Sequence, residues 1–207
     1  MSDTVERFTT PASEQTLQDV ATALAERNLK TVVVDTGADA RRAVLEMIPE
    51  GAEVHSGKSK TLEDIGLFHE FQDSGRYDFV RTRMLAMDRA TQGREIRKLT
   101  AAPDYMVNSA QAITEEGVIV VASASASQVG PLASGAGRVI FVVGSQKIVR
   151  DLDAAYERIL EHVLPYEDSR VFEAIGVHTF LARLLLLERE WQADRTTMVL
   201  VREPVGV

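Results

Sequence analysis

Apolar residues in this chain gather in short, unalternated runs: Thr31–Val34, Val118–Val121, Arg138–Gly144 and Thr196–Val201. Each run is rich in β-branched residues and bounded by Gly, Ser, Asn or Asp, which predicts strands covered on both faces. Between them the spacing turns helical. Leu17, Val20, Ala21, Leu24 and Ala25, behind a Ser13 cap, predict a helix that stops at Asn28. Asp39–Met47 repeats the pattern and Pro49-Glu50-Gly51 closes it. Glu53–His55 reads as a short strand, followed by the polar turn Ser56–Lys60. Thr61, with Asp64 three residues on, resembles a capping box, so a helix is expected to start there, continue through Phe68–Gln72 and end at Ser74-Gly75.

Over 77–99 apolar residues thin out and Arg81, Arg83, Arg89, Arg94, Arg97 and Lys98 crowd in. This reads as a solvated helix, broken near Gly93, in preference to an anion site. Asp151–Val163 predicts an amphipathic helix stopped by Pro165, and 170–191 reads as mostly helical, with Leu184–Leu187 as core or dimer interface. Residues 1–12 read as a flexible tail and 1–207 as one domain. Alternating helices and strands predict parallel pairing with right-handed crossovers, hence an α/β fold with an open, mostly parallel sheet. The stretch 105–149 packs polar and acidic residues into turns at strand ends, where such sheets bind ligands.

Composition narrows the function. The formal charge of −8 disfavours nucleic acid as a partner and leaves room for a local basic pocket that takes a small anion. The absence of cysteine excludes disulfides, thiolate zinc sites, a Cys nucleophile and cysteine-ligated iron–sulfur clusters within these residues. Ser2–Arg7 lacks a basic-then-apolar leader pattern, and the longest apolar run, Leu184–Leu187, is far below the roughly 20 residues of a membrane helix. A soluble, cytoplasmic protein without membrane insertion is expected. His55, His69, His162 and His178 show no ligand spacing, so no metal site is expected.

Gly51-Ala-Glu-Val-His-Ser-Gly57-Lys58-Ser59 resembles a phosphate-binding P-loop but has five residues before its Gly-Lys pair where that loop needs four, and a strand where the loop must wrap. An NTPase is rejected. Gly57, Lys58, Ser59, Lys60 and Thr61 still form a polar turn before a helix, either an anion site or an ordinary capped turn. Glu115-Glu116-Gly117 offers a carboxylate nucleophile or base, although its composition favours a solvated hairpin corner. Ser123, Ser125 and Ser127 lie in a hydroxyl-rich loop that either closes over a ligand or crosses the surface. No nucleophile elbow or dinucleotide fingerprint is present.

Several pieces together resemble the lactate-utilisation (LUD) domain family: Ser56-Gly-Lys-Ser59 with Thr61-Leu-Glu-Asp-Ile-Gly66-Leu67, Ala112-Ile-Thr-Glu115-Glu-Gly117, and Val139-Ile-Phe-Val-Val-Gly144-Ser-Gln-Lys147. Asp153–Ile159 and the closing Val-Leu-Val strand add to them, so the resemblance runs in order from about residue 32 onward. It implies a three-layer α/β fold similar to phosphosugar isomerases, CoA transferases and formyltetrahydrofolate cyclo-ligases. It also implies an accessory, ligand-binding role in oxidising L-lactate to pyruvate. Iron–sulfur and oxidoreductase proteins would be the partners, and with no cysteine here the clusters would sit in them. The pocket implied combines Gly57, Lys58, Ser59, Thr61 and Glu63 with Asn108, Gly117, Ser123, Ser125, Gly144 and Lys147. Glu115 is the catalytic candidate, because its turn looks like the Glu-Asn-Gly turn of CoA transferases with Glu in place of Asn. The alternative is a stand-alone enzyme on an acyl-CoA, folate or phosphorylated small molecule using Glu115. A homo-oligomeric scaffold built on the leucine face is a third reading.

Overall fold

The computed structural model describes residues 2–207, with side chains from Glu6 onward. In chain order the elements are α1 (Ser2–Thr9), α2 (Glu14–Glu26), β1 (Lys30–Val34), α3 (Gly37–Met47), β2 (Glu53–His55), α4 (Lys60–Asp64), α5 (Leu67–Asp73), β3 (Asp78–Phe79), α6 (Val80–Leu85), α7 (Gly93–Ala101), β4 (Tyr105–Asn108), β5 (Ala112–Thr114), β6 (Ile119–Ser123), β7 (Arg138–Gly144), β8 (Ile148–Val149), α8 (Leu152–Arg158), α9 (Leu164–Ile175), β9 (Arg183–Leu187) and β10 (Thr196–Val201). Wide π-turns occupy Pro131–Gly135 and Ile159–Val163.

Six strands form one wholly parallel sheet in the order β1-β10-β7-β4-β2-β3. Its unalternated sequences follow from two covered faces. Ile140 and Val142 of β7 and Val199 and Val201 of β10 pack on one side with α3, α4 and α5. Val139, Phe141, Val143, Met198 and Leu200 point to the other side, where Leu17, Val20 and Leu24 of α2 meet them. Helix, sheet, helix is the three-layer arrangement expected.

A second, four-stranded sheet, β8-β5-β6-β9, lies over part of that second face. Ile113, Ile119 and Val121 pack into the main core, while Ala112 and Val120 turn outward to Ala155 and Ile159. The leucine run is therefore a strand and not the centre of a helix. Leu185 and Leu187 face inward and Leu184 and Leu186 stay exposed, paired antiparallel to β6. Four consecutive leucines carry no period of their own, so partner pairing decides between strand and helix.

Other expectations need correction. Pro165 does not end its helix. The π-turn Ile159–Val163, closed by Leu164 N–H to Ile159 C=O, joins α8 to α9 and gives the proline ring the room a regular turn lacks. Ser59, not Thr61, caps α4, its Oγ accepting from Leu62 N–H at 3.5 Å. The stretch expected as a tail carries α1, whose Phe8 is buried.

The π-turn at 131–135 is where close packing dictates sequence. A Cβ on Gly135 would lie 1.8 Å from the carbonyl oxygen of Ala101. Gly135→Ala must shift one backbone against the other, and is expected to destabilise by about 1–3 kcal/mol, read as a lower urea midpoint at unchanged slope.

Candidate functional site

Parallel strands direct their carboxyl ends to one edge of the sheet, and the residues that end or follow β7, β4 and β2, three neighbours in the sheet, meet there. They are Lys147, then Asn108 and Ser109, then His55 to Lys58. Together with α4, α6, α7, the serine loop and the π-turn after α8 they line a cavity of about 750 Å³. Drug-sized ligands occupy cavities of about 300–1,000 Å³.

The charge of its wall is opposite to that of the chain. Seven lining residues are Lys or Arg and one, Glu167, is acidic. Glu167 is paired with Arg170 and Lys60 with Asp64. The other five basic side chains, Lys58, Arg81, Arg89, Arg97 and Lys147, have no ion-pair partner among the described residues. Arg81 lies over the Phe68 ring at 5.7 Å, and burial together with the Arg89 charge lowers its pKa. Lys58, Arg89 and Arg97 are exposed and form the rim.

Deeper in, polar groups are buried without full partners. Lys147 is 3% exposed, and its Nζ donates to Thr61 Oγ1 at 2.8 Å and to Ser109 Oγ at 3.3 Å. Burial, with the Arg158 charge second, pushes its pKa down to about 7. His55 is 2% exposed with an unpartnered Nδ1, and neighbouring Ser56 Oγ is also unpartnered. Burial and the Arg81 charge lower His55 to about 4, so the imidazole is neutral. Behind the wall Arg158 is wholly buried. It donates to the carbonyls of Gln111 (2.6 Å) and Phe8 (3.4 Å), and its Nε is unpartnered.

Of the residues singled out in the sequence, Gly57, Lys58, Ser59, Thr61, Asn108, Ser123, Ser125 and Lys147 line this cavity. Ser123 Oγ accepts from Ala126 N–H and so shapes the loop. Glu63 is half-buried and off the wall, acting at a distance on Arg81. Gly144 is also off the wall; a Cβ there would lie 2.7 Å from Val205 N, so its place is to admit the C-terminal segment.

Glu115 and Glu116 are a correction. Both are exposed at the β5–β6 hairpin turn and neither lines the cavity. The turn docks on the end of α2 instead. Arg27 Nε donates to Glu116 C=O at 2.6 Å, and Gly117, at φ 85°, sits against Ala23. The strand-end argument fails here because β5 belongs to the small sheet. Conversely, Arg81, Arg89 and Arg97 are not merely a solvated face. A charge-dense stretch carries no periodic signal to show which side meets a turn far away in sequence. His55 and Ser109 carry no motif of their own, and only the meeting of the β2 and β4 ends brings them to the same wall.

Among the described residues, no group of three or more His, Asp or Glu gathers as a metal would need. No helix among them is long and apolar enough to cross a membrane.

Fold and site define a three-layer α/β protein with a cationic cleft at the carboxyl ends of its parallel strands. The chain belongs to the LUD domain family, whose model matches residues 17–178. At the level of the family, that membership implies a role in lactate utilisation. Its fold is similar to the crystal structure of a DUF162 family protein from Deinococcus radiodurans, at 13% sequence identity and a TM-score of 0.51, covering 92% of this chain and 99% of that one. Among curated proteins none matches.

Proposed function

We propose that this chain is the ligand-binding, accessory component of an L-lactate oxidation system that works with iron–sulfur partner proteins. Its motifs resemble those of lactate-utilisation protein C in particular. The observation that carries the reading is the set of five basic side chains without an ion-pair partner on the wall of one cavity, four of them permanent cations, in a chain of net charge −8. Unpaired cations converging on a partly desolvated cleft favour an anion, because a carboxylate or phosphate supplies the charge-assisted bonds they lack. With no cysteine to hold a cluster, the electrons of lactate oxidation go to partners, and this chain binds and presents the organic anion.

Two measurements test this. In a thermal-shift panel of L-lactate, pyruvate, CoA, ATP and sugar phosphates, an anion at about a hundred times its dissociation constant adds roughly 2.7 kcal/mol, or about 5–10 °C at this size. Arg97→Ala and Arg81→Ala each weaken that binding about tenfold or more. Glu115→Gln leaves it unchanged. In reconstitution, lactate oxidation by the iron–sulfur partners falls when this chain is omitted; oxidation at the same rate without it refutes the accessory role.

The alternative, an enzyme on an acyl-CoA, folate or phosphorylated small molecule, draws support from the cavity's volume and charge. It draws none from Glu115, which lies outside.

A further inference from the structure

Lys147 follows the last residue of β7 by three positions and ends the tight turn Ser145–Lys147, so the central strand of the sheet fixes its backbone. A lysine this deeply buried is ordinarily matched to a carboxylate. This one has none; its two partners are hydroxyls.

The protons around it can be counted. Thr61 Oγ1 donates its one proton to Ser109 Oγ at 3.2 Å, and Ser109 Oγ donates its own to the carbonyl of Ala110 at 3.4 Å. Both hydroxyls therefore meet Lys147 as acceptors. A neutral amine has two N–H donors and one lone pair. The two donors are used by Thr61 and Ser109, and the lone pair has no donor facing it. An ammonium would present a third N–H at that same position. In its amine form the lysine thus keeps its nucleophilic pair unengaged, in the wall of the cavity. Burial and the Arg158 charge, which displace its pKa downward, favour that amine form.

We propose that Lys147 is a covalent residue that forms a Schiff base with an anionic carbonyl compound, the 2-oxo acid class. A desolvated lysine beside another cation is one way a protein activates an amine toward carbonyls. The electrophile is a carbonyl because the nucleophile is an amine. It is anionic because Lys58, Arg81 and Arg97 line the same cavity without partners. This step rests on the anion-pocket reading given above.

The reaction balances without an oxidant or reductant. The Nζ lone pair adds to the carbonyl carbon, giving a carbinolamine. The carbon–oxygen bond then breaks, the two former N–H protons leave with that oxygen as water, and a carbon–nitrogen double bond remains. Taking one proton from solvent at Nζ makes it an iminium, a sink for electrons from the neighbouring carbon. The unpartnered Nδ1 of His55 and Oγ of Ser56, on the same wall, are free to hydrogen-bond the carboxylate or the departing water.

The test is reductive trapping on the full chain. Protein is incubated with pyruvate or 2-oxoglutarate, treated with borohydride, and mapped by peptide mass spectrometry, with thermal shift run on the same ligands. The expected result is a stable secondary amine on the peptide containing Lys147, lost in Lys147→Met and Lys147→Arg and retained in Lys98→Met, which lies on an exposed face of α7. Mapping the wild-type adduct does not depend on how either variant folds. Thermal stabilisation by the oxo acid with no adduct at Lys147 overturns the covalent step and leaves the anion pocket standing. Neither stabilisation nor adduct overturns both. An adduct confined to surface lysines, equally present in Lys147→Met, also overturns the proposal.

Discussion

Arg195→Met melts roughly 10 °C below the wild-type chain, a loss of about 3–5 kcal/mol. Arg195 precedes β10 and is 8% exposed. Its Nε donates to Ala136 C=O at 3.1 Å, Nη2 to Pro131 C=O at 3.0 Å, and both Nη atoms to Leu132 C=O at 3.3–3.4 Å. Nη1 also pairs with Glu190 at 3.0 Å, and Thr196 Oγ1 donates to that same carboxylate oxygen. Pro131 C=O already accepts from Ala136 N–H within the π-turn, and one guanidinium ties it to the carbonyls of Leu132 and Ala136. Methionine fills the volume but leaves the carbonyls of Leu132 and Ala136 and the Glu190 carboxylate without the guanidinium donor. Removing one partner of a buried pair is what makes the loss large. Burial alone would raise the pKa of Glu190, yet the Thr196 hydroxyl and the Arg195 guanidinium bring it below the ordinary value. In Arg195→Met it rises again. Because Pro131 lines the cavity, ligand binding should weaken along with melting. An unchanged melting temperature would show that the π-turn holds without its clamp.

The same contrast, between what neighbours in sequence reveal and what only the fold assembles, runs through the whole molecule. β7 and β10 are legible because both of their faces are covered, so Val139–Val143 and Met198–Val201 are apolar without a break. α2 is legible because Ser13 caps it and Leu17, Val20 and Leu24 share one stripe. The turn after β2 is legible as a polar, basic turn because Gly57, Lys58 and Ser59 are contiguous, and it lies on the cavity wall. The arginines of α6 and α7 join that turn only once β3 and β4 have set the path of the chain, and no local pattern encodes that meeting. Thr61 shows the limit of motif reading. Its spacing to Asp64 fits a cap, yet Ser59 takes that place and Thr61 points to Ser109 and Lys147. Lys147 itself stood out only through the family motif, since a single lysine after a strand carries no spacing. Glu115 was the opposite case, a turn of the right composition in the wrong sheet.

Lys147→Met is expected to make the protein more stable at pH 7, the reverse of most buried substitutions. Burial is the main cause, and the Arg158 charge the second, of a folded-state pKa of about 7 against 10.5 in the unfolded chain. Between those values the unfolded state binds more protons than the folded one, so the contribution of this group to stability grows as pH rises. Below pH 7 the penalty is complete, and by about pH 10.5 it has gone. Its ceiling near neutral pH is on the order of 4 kcal/mol. Methionine follows the lysine stem without a charge and gives up two hydrogen bonds, each worth about 1 kcal/mol. The Thr61–Ser109–Ala110 chain of hydrogen bonds survives it. A net gain of about 2 kcal/mol remains, or roughly 4–8 °C in melting temperature at pH 7, shrinking steadily as the buffer is taken up to about pH 10. A residue that weakens the fold while lining a cavity is the signature of a site kept for function at the expense of stability. If Lys147→Met melts lower than wild type at pH 7, the lysine is a structural donor holding α4 to β4. The case for a free amine facing the ligand then falls with it.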